Sequence, residues 1–334
     1  MPPPLLQARD LRVTLRTPRG EAAAVRGLSF TLERGETLGL IGESGSGKSM
    51  TALALMGLAP EGAALSGSLQ LDGQELLGLH ERAWCDIRGR RIAMIFQEPM
   101  TALNPVHPIG RQVAEPMRLH QGLSAAAARQ RTVELLARVG IAEPEHRLGA
   151  FPHQFSGGQR QRIMIAMALA CAPDVLVADE PTTALDATVQ RQVLRLISEL
   201  VAERGMALLL ISHDLALVAQ SVQRMMVMYG GIVVEEGTTE RVFNHPAHPY
   251  TRGLLAARPH LAQRLAGHAG DRLPTIAGSV PELWALPPGC TFAGRCAFTA
   301  PGCAHAAPPA VALPAPGHLA RCLRPEALTA PAGA

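Results

Sequence analysis

The sequence predicts an α/β protein built on a parallel sheet with helices over both faces. Three observations predict it. Short apolar runs alternate with helical patterns, as parallel strands joined by crossover helices require. A glycine-rich stretch, Gly42–Ser49, links one apolar run to a helical one. A second apolar run, Val175–Ala178, ends in the adjacent carboxylates Asp179 and Glu180.

In chain order, Leu11–Leu15 and Leu28–Leu32 read as short strands divided by a turn-rich segment at Pro18–Gly20. Thr37–Ile41 is apolar enough for a buried strand, and Met50–Leu58 has helical character after the glycine-rich loop. Gly67–Leu71 and Arg91–Phe96 read as further strands. From about Pro99 to Ala170 the pattern is mostly helical, strongest over Leu123–Val139 and Gln159–Ala170. Val175–Ala178 and Ala207–Ile211 are buried strands flanking a helix at about Thr188–Glu203. Near Arg258 the texture changes, and Pro, Gly, Ala and Cys replace periodicity. The domain boundary is therefore set at about residue 260. Ala304–Ala334 is expected to be irregular with a disordered tip.

A chain of 334 residues is long for one core, so two domains or one domain with an appendage are expected. Apolar residues make up 47%, enough for a sizeable core. The net charge of +3 does not suggest a nucleic-acid protein, which carries a strong basic patch or stripe. Met1–Gln7 lacks the basic start and apolar stretch of a secretory signal. The longest apolar run, Ile163–Pro173, is too short to span a bilayer. A cytoplasmic chain is expected, reaching a membrane only through a partner.

Gly42-Glu43-Ser44-Gly45-Ser46-Gly47-Lys48-Ser49 fits G-x-x-x-x-G-K-[ST] between a strand and a helix, the context in which that spacing binds phosphate. The glycines let successive N–H groups face the phosphates, and the following helix adds its positive end. Lys48 reaches the β- and γ-phosphates and the Ser49 hydroxyl binds Mg²⁺. The candidate nucleotide contacts are these eight residues and Met50. The loop alone does not separate kinases, GTPases and transport ATPases. Asp179 is positioned at a strand end to hold Mg²⁺, and Glu180 to orient and deprotonate an attacking water.

Phe155-Ser156-Gly157-Gly158-Gln159 opens a further helix, with Ser156 as N-cap and two glycines that allow close backbone approach. A second anion-binding helix start is odd for a lone pocket. It makes sense if it serves a nucleotide held by another subunit.

With these motifs the chain resembles the nucleotide-binding subunits of ABC transporters over about residues 5–260. Ser156–Gln159 matches the family's signature, Gln97 its Q-loop glutamine, Ala184-Leu185-Asp186 its D-loop, and His213 its switch histidine. The resemblance implies a P-loop NTPase core: a RecA-like parallel sheet, an antiparallel β subdomain, and a helical subdomain at about 99–170. It implies a head-to-tail dimer of two ATPase domains, each ATP lying between one loop and the partner's signature. Gln97 contacts Mg²⁺ and the water, His213 the γ-phosphate, and Asp186 communicates across the interface. The catalytic candidates are thus Glu180, His213 and Gln97; the Mg²⁺ candidates are Ser49, Gln97 and Asp179. The family stacks adenine on an early aromatic, but Leu15–Ala24 holds none, leaving Leu15, Arg16 or Arg19.

Ile95–Pro105, His248–Leu255 and Pro288–Cys296 resemble the dipeptide/oligopeptide importer branch, which also contains nickel and glutathione importers. The resemblance implies an ATPase at the cytoplasmic face of the inner membrane. Its partners are a second ATPase, identical or paralogous, two permease subunits, and an extracytoplasmic solute-binding protein. No long coiled coil separates Lys48 from Ser156, against a DNA-repair ATPase. A single set of motifs argues against a two-cassette translation factor.

Four of the six cysteines crowd residues 261–334 as C-x5-C-x6-C-x18-C: Cys290, Cys296, Cys303 and Cys322. In a reducing compartment they read better as metal ligands than as disulfides. The close pairs common in zinc modules are absent. Four thiolates can hold a [4Fe–4S] cluster, and related importer ATPases carry one in this extension. A cluster, zinc and no metal remain the alternatives.

Overall fold

The computed structural model describes residues 3–98, 102–183, 185–257 and 275–325. The expected boundary near residue 260, Ala184, positions 99–101 of the importer-like segment, and the tip beyond 325 lie outside them.

Two long strands, β1 (Leu6–Thr17) and β2 (Gly20–Leu32), form an antiparallel hairpin. Asp10, at φ 46°, marks an irregularity in β1 where the register shifts between Ala8 and Leu11. The turn at Pro18–Gly20 is where the sequence placed it, but both strands run further into polar residues than hydrophobicity alone indicated. β3 (Thr37–Ile41) leads through the glycine-rich loop into α1 (Lys48–Leu55). β4 (Ala64–Leu71), β5 (Gln74–Glu75), α2 (Glu81–Ile87) and β6 (Ile92–Ile95) follow.

The helical stretch contains α3 (Ile109–Gln121), α4 (Ala125–Arg138), α5 (Pro144–Arg147) and α6 (Gly157–Ala168). Ser124 caps α4 by accepting the Ala127 N–H, and Ser156 does the same for Gln159 at α6. β7 (Val175–Asp179), α7 (Ala187–Arg204) and β8 (Ala207–Ser212) return the chain to the sheet. α8 (Leu215–Ala219), β9 (Arg224–Tyr229), β10 (Ile232–Thr238), α9 (Thr239–Asn244) and α10 (Pro249–Ala256) complete the first part. Two short strands, β11 (Val311–Ala312) and β12 (Leu319–Ala320), come from the C-terminal segment.

These strands form a small antiparallel sheet, β2-β1-β4-β5, and a large one, β11-β12-β10-β9-β3-β8-β7-β6. Strands β6 to β9 and β3 pair in parallel, and β10, β12 and β11 add antiparallel to the β9 edge. β7 and β8 are buried along their whole length, as strands covered on both faces must be. One apolar core joins the large sheet to α3, α4, α6 and α7, with Val113, Leu136, Ile163 and Ile197 buried in it. A second core lies between the two sheets around α1, with Leu11, Val25, Leu55 and Leu209 buried. Among the described residues no helix is long and apolar enough to cross a membrane.

The C-terminal segment is tied into the large sheet. β12 pairs with β10, and His318 Nε2 lies 2.9 Å from Glu235 Oε1, both side chains almost wholly buried. Glu235 also accepts the N–H groups of Ala247 at 2.8 Å and His248 at 2.9 Å, so the buried carboxylate is surrounded by donors.

Candidate nucleotide site

Gly42–Ser49 crosses the carboxyl end of β3, where open α/β sheets gather their ligands. Two of its glycines are fixed by space. A Cβ on Gly42 would stand 2.2 Å from the Met228 carbonyl oxygen, and one on Gly47 2.4 Å from that of Ala24. Gly47 also holds φ 106° as it turns the chain into α1. Ser44 and Gly45 are exposed, Ser46 is buried, and Met50 is half-buried against the inter-sheet core. The Gly231 N–H donates to the Ser46 carbonyl at 3.0 Å, securing the loop to the β9–β10 turn.

Lys48 is 4% exposed and folds across its own loop, donating to the carbonyls of Gly42 at 2.8 Å and Glu43 at 3.0 Å. Burial lowers its pKa, against the pull of Glu180, Asp179 and Glu43. A buried ammonium held across a glycine-rich loop suits a polyphosphate.

Asp179, at the end of β7, is buried, which raises its pKa; a hydrogen bond from Ser49 opposes the rise and the Glu180 charge adds to it. Its Oδ1 is buried without a hydrogen-bond partner. A carboxylate oxygen left bare beside a serine hydroxyl is a donor set that fits Mg²⁺.

Glu180 follows in the left-handed region at φ 46°, a conformation costing about 1–3 kcal/mol for a non-glycine residue. Its N–H donates to the Ile211 carbonyl at 2.9 Å, holding the turn against β8. Three groups converge on its Oε2. Thr183 Oγ1 donates at 2.8 Å, Gln97 Nε2 donates at 3.4 Å, and His213 Nδ1 lies at 3.1 Å. Glu180 is 12% exposed at the side chain, whereas His213 is 59% exposed and can meet a ligand from outside. The three catalytic candidates thus meet at one oxygen. Thr183 was not singled out from sequence; its spacing of three from Glu180 was the available signal.

Ser156 and Gln159 close a capping box at the start of α6: Ser156 Oγ accepts the Gln159 N–H and Gln159 Oε1 accepts the Ser156 N–H. Ser156 and Gly157 are exposed, and Gly158 packs near Val189 of α7. Asp186 is the N-cap of α7, its Oδ1 accepting the N–H groups of Thr188 and Val189, both at 3.0 Å. That local duty accounts for an aspartate here without reference to any partner.

Cys290, Cys296, Cys303 and Cys322 line one small pocket with His248, Phe292 and Phe298. All four are free thiols, and burial pushes those of Cys290 and Cys322 upward. Among the described residues no group of three or more His, Cys, Asp or Glu is arranged to grip a single metal ion.

The Gly42–Ser49 loop, with buried Lys48 and the carboxylates of Asp179 and Glu180 beside it, forms a site that fits a nucleoside triphosphate. Residues 25–183 match the ABC transporter family, and residues 234–303 match the oligopeptide/dipeptide transporter C-terminal region. A putative peptide import ATP-binding protein of Brucella abortus (strain 2308) is 50% identical over 306 residues, 91% of each chain. The oligopeptide transport ATP-binding protein OppD of Salmonella typhimurium (strain LT2) is 48% identical over 321 residues, 96% of this chain and 94% of that one. Among solved structures, the ATP-binding cassette MJ0796, dimeric in a post-hydrolysis state with ADP and Pi, aligns with TM-score 0.64 at 26% identity. It covers 70% of this chain and 98% of its own. The chain belongs to the ABC transporter family, as an ATP-binding and ATP-hydrolysing subunit of a peptide importer.

Proposed function

We propose that this subunit energises uptake of di- or oligopeptides, or a related solute, by closing around two ATP molecules with a second cassette. The observation that carries the catalytic half of this reading is the convergence of Gln97, Thr183 and His213 on Glu180 Oε2. Glu180 takes the proton of the attacking water, while Gln97 and Thr183 hold its carboxylate in one orientation. His213, on the exposed side, contacts the γ-phosphate. Lys48 and the loop N–H groups bind the β- and γ-phosphates, and Ser49, Asp179 and Gln97 would hold Mg²⁺. Bound there, the cation offsets phosphate charge.

The exposed Ser156–Gln159 helix start supports a site completed between two chains. In this reading Ser156, Gly157, Gly158 and Gln159 meet the ATP on the partner's loop, and Asp186 lies at the interface. MJ0796, a dimeric cassette, supports the arrangement. The second cassette is an identical or paralogous subunit. Two permease subunits at the inner membrane's cytoplasmic face and an extracytoplasmic solute-binding protein complete the assembly. A groove of about 670 Å³ between α3 and α4, beside exposed Leu119, supports permease docking on the helical subdomain.

For adenine, Arg19 is favoured over Leu15 and Arg16, because its guanidinium lies 4.8 Å from the ring centroid of half-exposed Trp284. Residues 1–260 are read as the nucleotide-binding domain and 261–334 as its extension. The convergence of four thiols on one pocket supports a [4Fe–4S] cluster, which Cys290, Cys296, Cys303 and Cys322 would hold through their thiolates. Anaerobic purification should then give a brown protein containing iron and sulfide. A colourless protein with stoichiometric zinc would replace the cluster by zinc.

The importer reading is tested by co-purification from detergent-solubilised membranes with subunit identification. Two permease chains and a second cassette are expected. Recovery with an efflux permease, or with no membrane protein after cross-linking, overturns it.

A further inference from the structure

We infer that Arg295, in the C-terminal extension, is a positioning residue for the phosphate loop, so that the extension sets the nucleotide affinity of the cassette to which it is attached. The inference rests on Gly42–Ser49 binding ATP, and on neither the importer assignment nor the metal.

Glu43, the second residue of the loop, is held from three directions. Arg295 Nη1 donates to its Oε2 at 2.6 Å and Nη2 to its Oε1 at 3.2 Å, a two-pronged charge-assisted pair. The Tyr250 hydroxyl accepts the Glu43 N–H at 2.7 Å. Lys48 Nζ donates to the Glu43 carbonyl at 3.0 Å. The motif leaves this position open to any residue, so the phosphate-binding role does not itself explain a clamped glutamate.

Arg295 is itself fixed. It is 9% exposed at the side chain, donates through Nε to the Ala277 carbonyl at 2.8 Å, and reaches the Tyr229 hydroxyl at 3.4 Å. Burial works against its charge, but the Glu43 and Tyr229 contacts outweigh it and raise its pKa. Below it, the Tyr229, Tyr250 and Phe292 rings pack with centroids 4.7–5.4 Å apart. Phe292 and Arg295 both lie between Cys290 and Cys296, so the segment that carries half the cysteine pocket also carries the clamp. Aromatic packing fixes the backbone, the guanidinium transmits that placement to Glu43, and Glu43 fixes where the loop leaves β3. A loop ordered beforehand loses less entropy when it closes on phosphate.

The test uses the full-length protein. Arg295→Met should raise the Kd for Mg-ATP and the KM about tenfold, the lower part of the range for a charged hydrogen bond, with kcat within about threefold. Arg295→Lys, which keeps the charge and a single prong, should fall between. Glu43→Gln should raise KM similarly. The double variant should be no worse than Arg295→Met, because both changes cut the same link. A purely structural Arg295 would lower the melting temperature and the active fraction, leave the KM of the folded protein unchanged, and add to Glu43→Gln. Either an unchanged KM or additive effects would overturn the inference. If Arg295→Met does not fold, Arg295→Lys and Glu43→Gln carry the same comparison.

Discussion

Replacing Glu180 by glutamine isolates chemistry from geometry at this site. The amide oxygen can take the place of Oε2 and still accept from Thr183 at 2.8 Å and Gln97 at 3.4 Å, so the cluster keeps its shape. What is lost is the proton acceptor. Positioned general bases contribute about 10²–10⁴-fold, so the barrier should rise by about 2.7–5.4 kcal/mol at 1.36 kcal/mol per decade. Nucleotide affinity should hold or tighten, because removing a negative charge that acts on Lys48 also relieves its repulsion of phosphate. Phosphate release at saturating Mg-ATP measures the first effect, and equilibrium nucleotide titration the second. A variant with native affinity and a kcat within threefold of native would refute the assignment of Glu180 as base. Loss of binding together with activity would instead refute the argument that the cluster's shape survives the substitution.

Asp186→Ala removes the cap of an 18-residue helix and should cost about 1 kcal/mol in urea denaturation, whereas Asp186→Asn should cost little. Gly42→Ala should abolish nucleotide binding, since its methyl would stand 2.2 Å from the Met228 carbonyl. Gly149→Ala, where a methyl meets nothing within 4 Å, should leave titration curves unchanged. His318→Ala leaves buried Glu235 with only its backbone donors and should destabilise the protein by about 3 kcal/mol, with faster hydrogen exchange at Leu319 and Ala320.

The parallel centre of the fold was legible because strands buried on both faces are continuous apolar runs. Thr37–Ile41 and Val175–Ala178 could be read directly from their residues. β10 escaped notice for a physical reason. β10 carries Glu235 and Glu236, and Glu235 is accommodated in the core by His318, 83 residues later, together with the N–H groups of Ala247 and His248. β11 and β12 have two residues each and carry no period at all. The nucleotide site was legible to the extent that its chemistry demands fixed residue types at fixed spacing, as at Lys48, Asp179 and Glu180. Arg295 and Tyr250 lay within segments noted for their resemblance to importers. Their contact with Glu43 spans more than 200 residues and is created only by the fold.

The pairing of β12 on β10 has a consequence for how the chain behaves when shortened. β10 would otherwise be the outermost strand of the large sheet, seven residues long, with its free backbone donors and acceptors open to another chain. With the C-terminal segment in place, the sheet ends in a two-residue strand followed by proline-rich sequence, a poor template for intermolecular pairing. A chain cut before residue 275 should therefore be sticky rather than merely inactive. It should form β-rich aggregates in proportion to its concentration, even with every nucleotide-binding residue intact.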